Sequence, residues 1–116
     1  MLVLAAVIVL GACGGGGANN SSVKTVTNGE IDVNAYDIHF DVGTIKTAPG
    51  KLTVNLHEKG TDQHTFTIDS PHLNLVVNPG TPNASGTVDL KAGTYEFYCA
   101  TDGHRQAGMH GTIEVS

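Results

Sequence analysis

The chain has 116 residues and a formal net charge of −5, with six Lys or Arg residues against eleven Asp or Glu. Its basic residues are few and form no cluster, so no surface could displace counterions from phosphate, and this excludes nucleic acid as a partner. The length beyond a short N-terminal segment suits one domain.

An apolar run, MLVLAAVIVLGA, opens the chain and is too short to span a bilayer as a helix. It ends in small residues, which is typical of an export signal, although no Lys or Arg precedes it. Residues 10–13, Leu-Gly-Ala-Cys, resemble the lipobox of bacterial lipoproteins, in which the chain is cut before a cysteine that then carries lipid. We therefore expect a signal peptide over 1–12 and a lipidated Cys13 that anchors the protein outside the cytoplasm, in the periplasm or at the cell surface. The alternative is an ordinary signal peptide with an incidental cysteine.

A Gly-rich stretch, GGGGANNSS, follows Cys13 and has nothing to bury. Such a sequence behaves as a flexible chain, and nine residues of it have a root-mean-square reach of roughly 15–18 Å. We therefore expect residues 13–22 to be a lipid-anchored tether. The folded domain is predicted over residues 23–116.

The predicted domain reads as strands. Residues 30–35 and 51–57 alternate apolar and polar side chains, the pattern of a strand with one buried face. The pattern recurs in five more segments: 64–69, 73–77, 86–90, 93–99 and 111–115. Turn-forming Gly and Pro residues separate the segments, and no helical period is present. The prediction is an all-β fold, a two-sheet antiparallel Greek-key sandwich of seven or eight strands.

A second cysteine, Cys99, has no partner within the chain if Cys13 carries lipid. Exported proteins normally use cysteine in disulfides. An unpaired thiol in an oxidising compartment needs burial or a bound metal to protect it, and a soft metal suits it best. A buried inert thiol is the alternative, but it leaves the residues around Cys99 unexplained.

Those residues lie in YCATDGHRQAGMHG, positions 98–111. Cys99 ends a predicted strand, and His104 and Met109 follow before the next one, so all three are expected at one end of the sandwich. His64 is the best fourth ligand, because it lies on the apolar, inward face of its strand. The alternatives are a hydrogen-bonding cap for His64 and core packing for Met109.

One thiolate and two imidazoles near a plane, with a thioether at longer range, suit a copper ion that cycles between Cu(I) and Cu(II). The sulfur ligands favour the reduced ion, and imidazole is acceptable to both states. Zinc would accept most of these ligands, but the thioether makes it the weaker alternative.

With these residues, the chain resembles the small blue copper proteins of the plastocyanin, azurin and auracyanin family, the cupredoxins. The shared motif is His64, then Cys99 after YEFY, His104 after four more residues and Met109 after another four. Other family-like stretches are AYDIHF (35–40), APGKLTVNL (48–56), HTFTI (64–68) and AGTYEFYC (92–99). The resemblance extends from residue 30 onward. It implies one type 1 copper ion and a one-electron carrier that meets redox protein partners.

Two positions depart from the family pattern. Many members have a proline just before the second histidine, where this chain has Asp102-Gly103, and many have Asn after the first histidine, where this chain has Thr65. We expect the Thr65 hydroxyl to tie the two ligand loops together in place of Asn. Its backbone N–H should donate to the Cys99 sulfur.

The resemblance also implies a route for electrons. In the family, the second histidine exposes one ring edge through an apolar patch, which gives this role to His104, with Arg105 beside it as a docking charge. The remaining histidines have no partners at ligand spacing and are expected at the surface: His39, His57, His72 and His110.

Two functions other than electron transfer make different demands on the sequence. A multicopper enzyme needs paired histidines in an HxH arrangement, and the sequence has none, so we expect no enzymatic activity. A copper storage or delivery protein, which would use the same ligands without redox turnover, is the alternative that the sequence leaves open. A monomer is expected.

Overall fold

The computed structural model describes residues 21–116, which form ten β-strands and no helix. The strands are β1 (Val23–Thr25), β2 (Glu30–Tyr36), β3 (His39–Phe40), β4 (Thr44–Thr47), β5 (Gly50–Glu58), β6 (His64–Ile68), β7 (Leu73–Val77), β8 (Asn83–Leu90), β9 (Gly93–Tyr98) and β10 (His110–Val115). The predicted all-β class is confirmed. Over the described range, no helix is long and apolar enough to cross a membrane.

The strands form two sheets. One has six strands in the order β1-β4-β10-β9-β6-β7, and the other has four in the order β3-β2-β5-β8. Along β2 and β7, buried and exposed residues alternate as the sequence pattern predicts. Buried residues from both sheets form one hydrophobic cluster, so the predicted sandwich is confirmed.

Both sheets are mixed rather than purely antiparallel. Strand β4 runs parallel to its neighbours β1 and β10, and β2 runs parallel to β5, while the other pairs are antiparallel. The prediction of antiparallel sheets does not hold for these three pairs. Alternation along a strand identifies its buried face, but it carries no information about the direction of the neighbouring strand.

Three of the ten strands, β1, β3 and β4, were not predicted from the sequence. Each has two to four residues, which is too short for an alternating pattern to appear. Strands β1 and β4 depend on pairing with strands farther along the chain, as β4 does with β10, while β3 pairs with the adjacent β2 in a tight hairpin.

Three phenylalanines pack beneath the end of the sandwich that carries the candidate ligands. Phe66 lies two residues after His64, and Phe97 lies two residues before Cys99. Their rings stack with centroids 4.7 Å apart, and Phe40 meets both edge to face at 5.9 and 5.4 Å. Because all three are at most 2% exposed, the two ligand strands are fixed against each other.

The predicted signal peptide, the predicted lipidation site Cys13 and most of the predicted tether lie outside the described residues. The last tether residue, Ser22, is attached to the fold. Its carbonyl oxygen accepts hydrogen bonds from the N–H groups of Gly43 at 2.9 Å and Thr44 at 3.0 Å.

Candidate metal centre

Three of the candidate ligands converge at one end of the sandwich. His64 begins β6, Cys99 directly follows β9, and His104 lies in the turn before β10. Their donor atoms all lie within 4.8 Å of one another, and all three residues are buried. This is the cluster that the sequence predicts.

Both imidazole rings turn Nδ1 toward the sulfur. Cys99 Sγ lies 4.0 Å from His64 Nδ1 and 3.5 Å from His104 Nδ1. The ring centroids are 5.1 Å apart and the planes are tilted by 46°. A cation between the two rings would have one sulfur and two nitrogens around it, because the fold already directs these atoms to one point.

The segment between Cys99 and Met109 is a closed loop of turns. The Cys99 N–H donates to the Met109 carbonyl oxygen and the Met109 N–H donates to the His104 carbonyl oxygen, both at 3.0 Å. Gly103 and Gly108 have φ values of +78° and +105°, a left-handed region that glycine enters without steric cost. Turn hydrogen bonds and glycine therefore hold this loop in place without a proline before His104.

The fourth candidate, Met109, is fully buried, and its backbone is hydrogen-bonded to both Cys99 and His104. Its position is thus fixed by the same loop that carries two of the other ligands. These backbone contacts place Met109 next to two of the three converging ligands, where the thioether of a type 1 copper site is expected.

Thr65 makes both predicted hydrogen bonds. Its N–H donates to Cys99 Sγ at 3.3 Å, and its Oγ1 accepts from the Ala100 N–H at 2.7 Å. The hydroxyl then donates to Thr67 Oγ1 at 2.9 Å, because the Thr67 hydroxyl is itself donated to Asn74 Oδ1 at 2.8 Å. This chain of hydrogen bonds joins β6 to the loop after Cys99.

Two carboxylates that no motif in the sequence predicts contact the far side of His64. His64 Nε2 lies 2.8 Å from Asp37 Oδ1 and 3.6 Å from Glu58 Oε1. Hydrogen bonds from the Thr61 N–H and from His64 hold the pKa of Asp37 well below its ordinary value. Asp37 is 27 residues from His64 in the sequence, while Glu58 is only six residues before it, and the pairing of Ala35 with Glu58 between β2 and β5 brings the two acids together.

His104 is the ligand nearest to solvent. Its side chain is 9% exposed, compared with 0% for His64, and its Nε2 lies 3.8 Å from Asp62 Oδ2. Neighbouring Arg105 is half exposed, forms an ion pair with Glu96 and lies over the Tyr98 ring, 4.0 Å from its centroid. The predicted docking charge therefore lies close to a carboxylate of its own chain.

The other histidines lie outside this cluster, as expected. His39 and His72 are exposed, and His110 is half-buried. His57 is also half-buried. Its Nε2 lies 3.0 Å from Asp32 Oδ1, and its Nδ1 lies 2.7 Å from Asn83 Oδ1. These contacts raise the pKa of His57.

The donor set fits copper. The Cys99 thiol is buried and free of any disulfide, and the Thr65 N–H donates to its sulfur. Two imidazole nitrogens and one thiolate, with a buried thioether nearby, are the ligands of blue copper sites. The fold and the site thus define a class, small β-sandwich proteins that hold one copper ion.

Comparison with known proteins identifies the family. Residues 2–115 match the sequence profile of the cupredoxin-like domain, and the chain belongs to this family. No significant match is found among curated protein sequences.

Solved structures show the same fold. A mutant plastocyanin of fern matches with a TM-score of 0.58 and 21% identity, over 74% of this chain and 100% of its own. A reduced rusticyanin matches with a TM-score of 0.67 and 21% identity, over 86% of this chain and 88% of its own. A second structure of the copper protein rusticyanin gives a TM-score of 0.66, with 21% identity and 86% of each chain covered.

Proposed function

We propose that this cupredoxin is a type 1 copper protein that carries single electrons between redox protein partners. One observation carries the proposal: a buried thiol and two Nδ1 atoms, on two separate segments, face one point. A bound copper ion supplies the Cu(I)/Cu(II) couple.

We assign four ligands, His64, Cys99, His104 and Met109. Cys99 provides the thiolate, the two histidines provide Nδ1, and Met109 provides a weaker axial thioether. The phenylalanine stack under the ligand strands and the closed 99–109 loop keep these donors still. Electron transfer then requires little movement of the protein, because packing and backbone hydrogen bonds hold the ligands in place.

The His104 ring is the proposed route for electrons, since it is the most exposed of the three converging ligands. Arg105 and Asp62 flank it with opposite charges, so docking would depend on the charge of the partner. Arg105 remains the predicted docking residue. A carboxylate of the partner would compete with Glu96 for the Arg105 guanidinium.

We further propose that the protein works outside the cytoplasm as a monomer anchored through lipid on Cys13. The lipobox-like sequence and the Gly-rich tether support this. Metabolic labelling with a fatty acid tests it: the full chain should take up label and Cys13→Ser should not. Equal labelling of both forms would contradict lipidation at this residue.

The test of the copper site is optical. Cu(II) added to the purified protein should produce an intense visible band from charge transfer between thiolate and copper, and Cys99→Ser should lack it. Ascorbate should bleach the band and reoxidation should restore it, with copper retained throughout. Release of copper on reduction would indicate storage or delivery instead, and bound metal without colour would contradict the type 1 site.

A further inference from the structure

We propose that Asp37 and Glu58 are positioning residues for His64, which keep the ring proton on Nε2, leave Nδ1 free for the metal and stabilise oxidised over reduced copper. The inference rests on the proposed function. It begins from the convergence of both carboxylates on one ring nitrogen, since these two acids and His64 have donor atoms within 4.8 Å of one another.

Asp37 is held rigidly against the ring. Its Oδ1 accepts hydrogen bonds from the Asp62 N–H and the Thr61 N–H, both at 3.1 Å, and its Oδ2 accepts from the Thr61 hydroxyl at 2.8 Å. The carboxylate is an acceptor in each of these bonds, so the remaining contact, with His64, is one in which Nε2–H donates. Asp37 thereby fixes the tautomer of His64.

The backbone of the turn after β5 is shaped for this contact. A Cβ atom at Gly60 would collide with the Asp37 carboxylate, so glycine allows the turn to close around it. The Gly60 N–H in turn donates to Glu58 Oε1 at 2.8 Å. One turn therefore orients both acids toward the same ring.

Glu58 is more deeply buried than Asp37, which is unusual for a carboxylate. Its side chain is 2% exposed, and its Oε2 has no hydrogen-bond donor among the described residues. Burying a carboxylate costs several kcal/mol unless an opposite charge or a set of donors compensates. Besides the Gly60 N–H, the polar group that faces Oε1 is His64 Nε2, at 3.6 Å, so this acid is placed to act on the ligand.

Two effects on the metal follow. A carboxylate that accepts the outer N–H of a ligating imidazole orients the ring and makes it a stronger ligand, and loss of such a partner typically lowers metal affinity by 10- to 100-fold. Negative charge behind the ring also favours the more highly charged ion, because the Coulomb interaction grows with the charge of the metal. Both acids should therefore lower the reduction potential.

The test compares Asp37→Asn with Asp89→Asn. The two variants change net charge equally, but Asp89 lies on β8, directly opposite Lys51 of β5. Lys51 is near the other end of β5, about 23 Å along the strand from Glu58. We expect the ratio of Cu(II) to Cu(I) affinity to fall about tenfold in Asp37→Asn, which raises the potential by about 59 mV. Asp89→Asn should stay close to the wild type.

Equal potentials for wild type, Asp37→Asn and Asp89→Asn, in protein that binds copper with its visible band intact, would overturn the inference and leave the proposed function standing. If Asp37→Asn fails to fold, Glu58→Gln decides in its place, because it removes the buried charge and keeps the shape. It should also raise the potential, and an unchanged value would overturn the role of Glu58.

A measurement on copper-free protein separates this inference from the proposed function. Nitrogen-15 NMR of the imidazole rings at neutral pH should show the His64 proton on Nε2 in the wild type. A mixture of tautomers should appear in Asp37→Asn. A proton found on Nδ1 in the wild type would overturn the inference whether or not the protein binds copper.

Discussion

Replacing Thr65 by valine would test how the two ligand segments are joined. The substitution keeps the branched shape of the side chain but removes the hydroxyl that accepts from the Ala100 N–H and donates to Thr67 Oγ1. The Thr65 backbone N–H, which donates to the Cys99 sulfur, is untouched. The variant therefore isolates the tie between β6 and the loop after Cys99.

The magnitude follows from the bonds lost. Thr65 is 7% exposed, and two hydrogen bonds at about 1 kcal/mol each would be lost with its hydroxyl. The extra methyl group of valine recovers up to about 0.8 kcal/mol through its burial. The net loss is about 1–2 kcal/mol in the free energy of unfolding, or roughly 5–15 °C in melting temperature for a domain of this size.

Thermal unfolding of copper-free protein, followed by circular dichroism, measures this loss. The control is Thr53→Val, because the Thr53 hydroxyl also bonds to a threonine, Thr87 at 2.8 Å, but does so at the exposed surface. Water replaces that bond, so the control should stay within about 0.5 kcal/mol of the wild type. If Thr65→Val melts at the same temperature as the control, the hydroxyl does not tie the ligand loops together.

Three further changes give distinct outcomes. Gly111→Ala would place a methyl group against the buried Phe97 ring, so we expect a loss of about 1–3 kcal/mol in urea unfolding, and wild-type stability would contradict this packing. The partner Asp32 raises the pKa of His57, so this pair stabilises the fold while His57 is protonated. His57→Gln should therefore cost most, about 0.5 kcal/mol, between pH 4 and 6.5, and less as pH rises through the folded pKa; a cost independent of pH would refute this. Arg105→Gln should slow oxidation of the reduced protein by hexacyanoferrate(III) about twofold at low salt, and an equal rate would exclude Arg105 from docking anions.

The sequence predicts those parts of the fold that depend on one strand at a time. Alternation in β2 and β5 identifies their buried faces, but their parallel pairing depends on a connection that no local pattern encodes. In β6, alternation predicts that His64 faces inward, yet all five of its residues are buried because other parts of the fold cover its second face as well.

The candidate site likewise has residues that the sequence predicts and residues that it does not. Cys99, His104 and Met109 share one loop, so their spacing alone predicts that they lie together. Asp37 reaches His64 only through a long-range contact, and Glu58, six residues before His64, does so only because the turn after β5 folds back on itself, so neither position carries a motif that indicates it. The ion pair of Arg105 with Glu96, nine residues apart, also has no signal in the sequence, because it depends on how the loop after Cys99 folds back beside β9.

X-ray absorption at the copper edge, in oxidised and reduced protein, tests the central claim most directly. One short copper–sulfur distance and two copper–nitrogen distances should be present in both states and change little between them, because the fold sets the positions of Cys99, His64 and His104. A copper shell without a short sulfur, or one that exchanges ligands on reduction, would contradict the account.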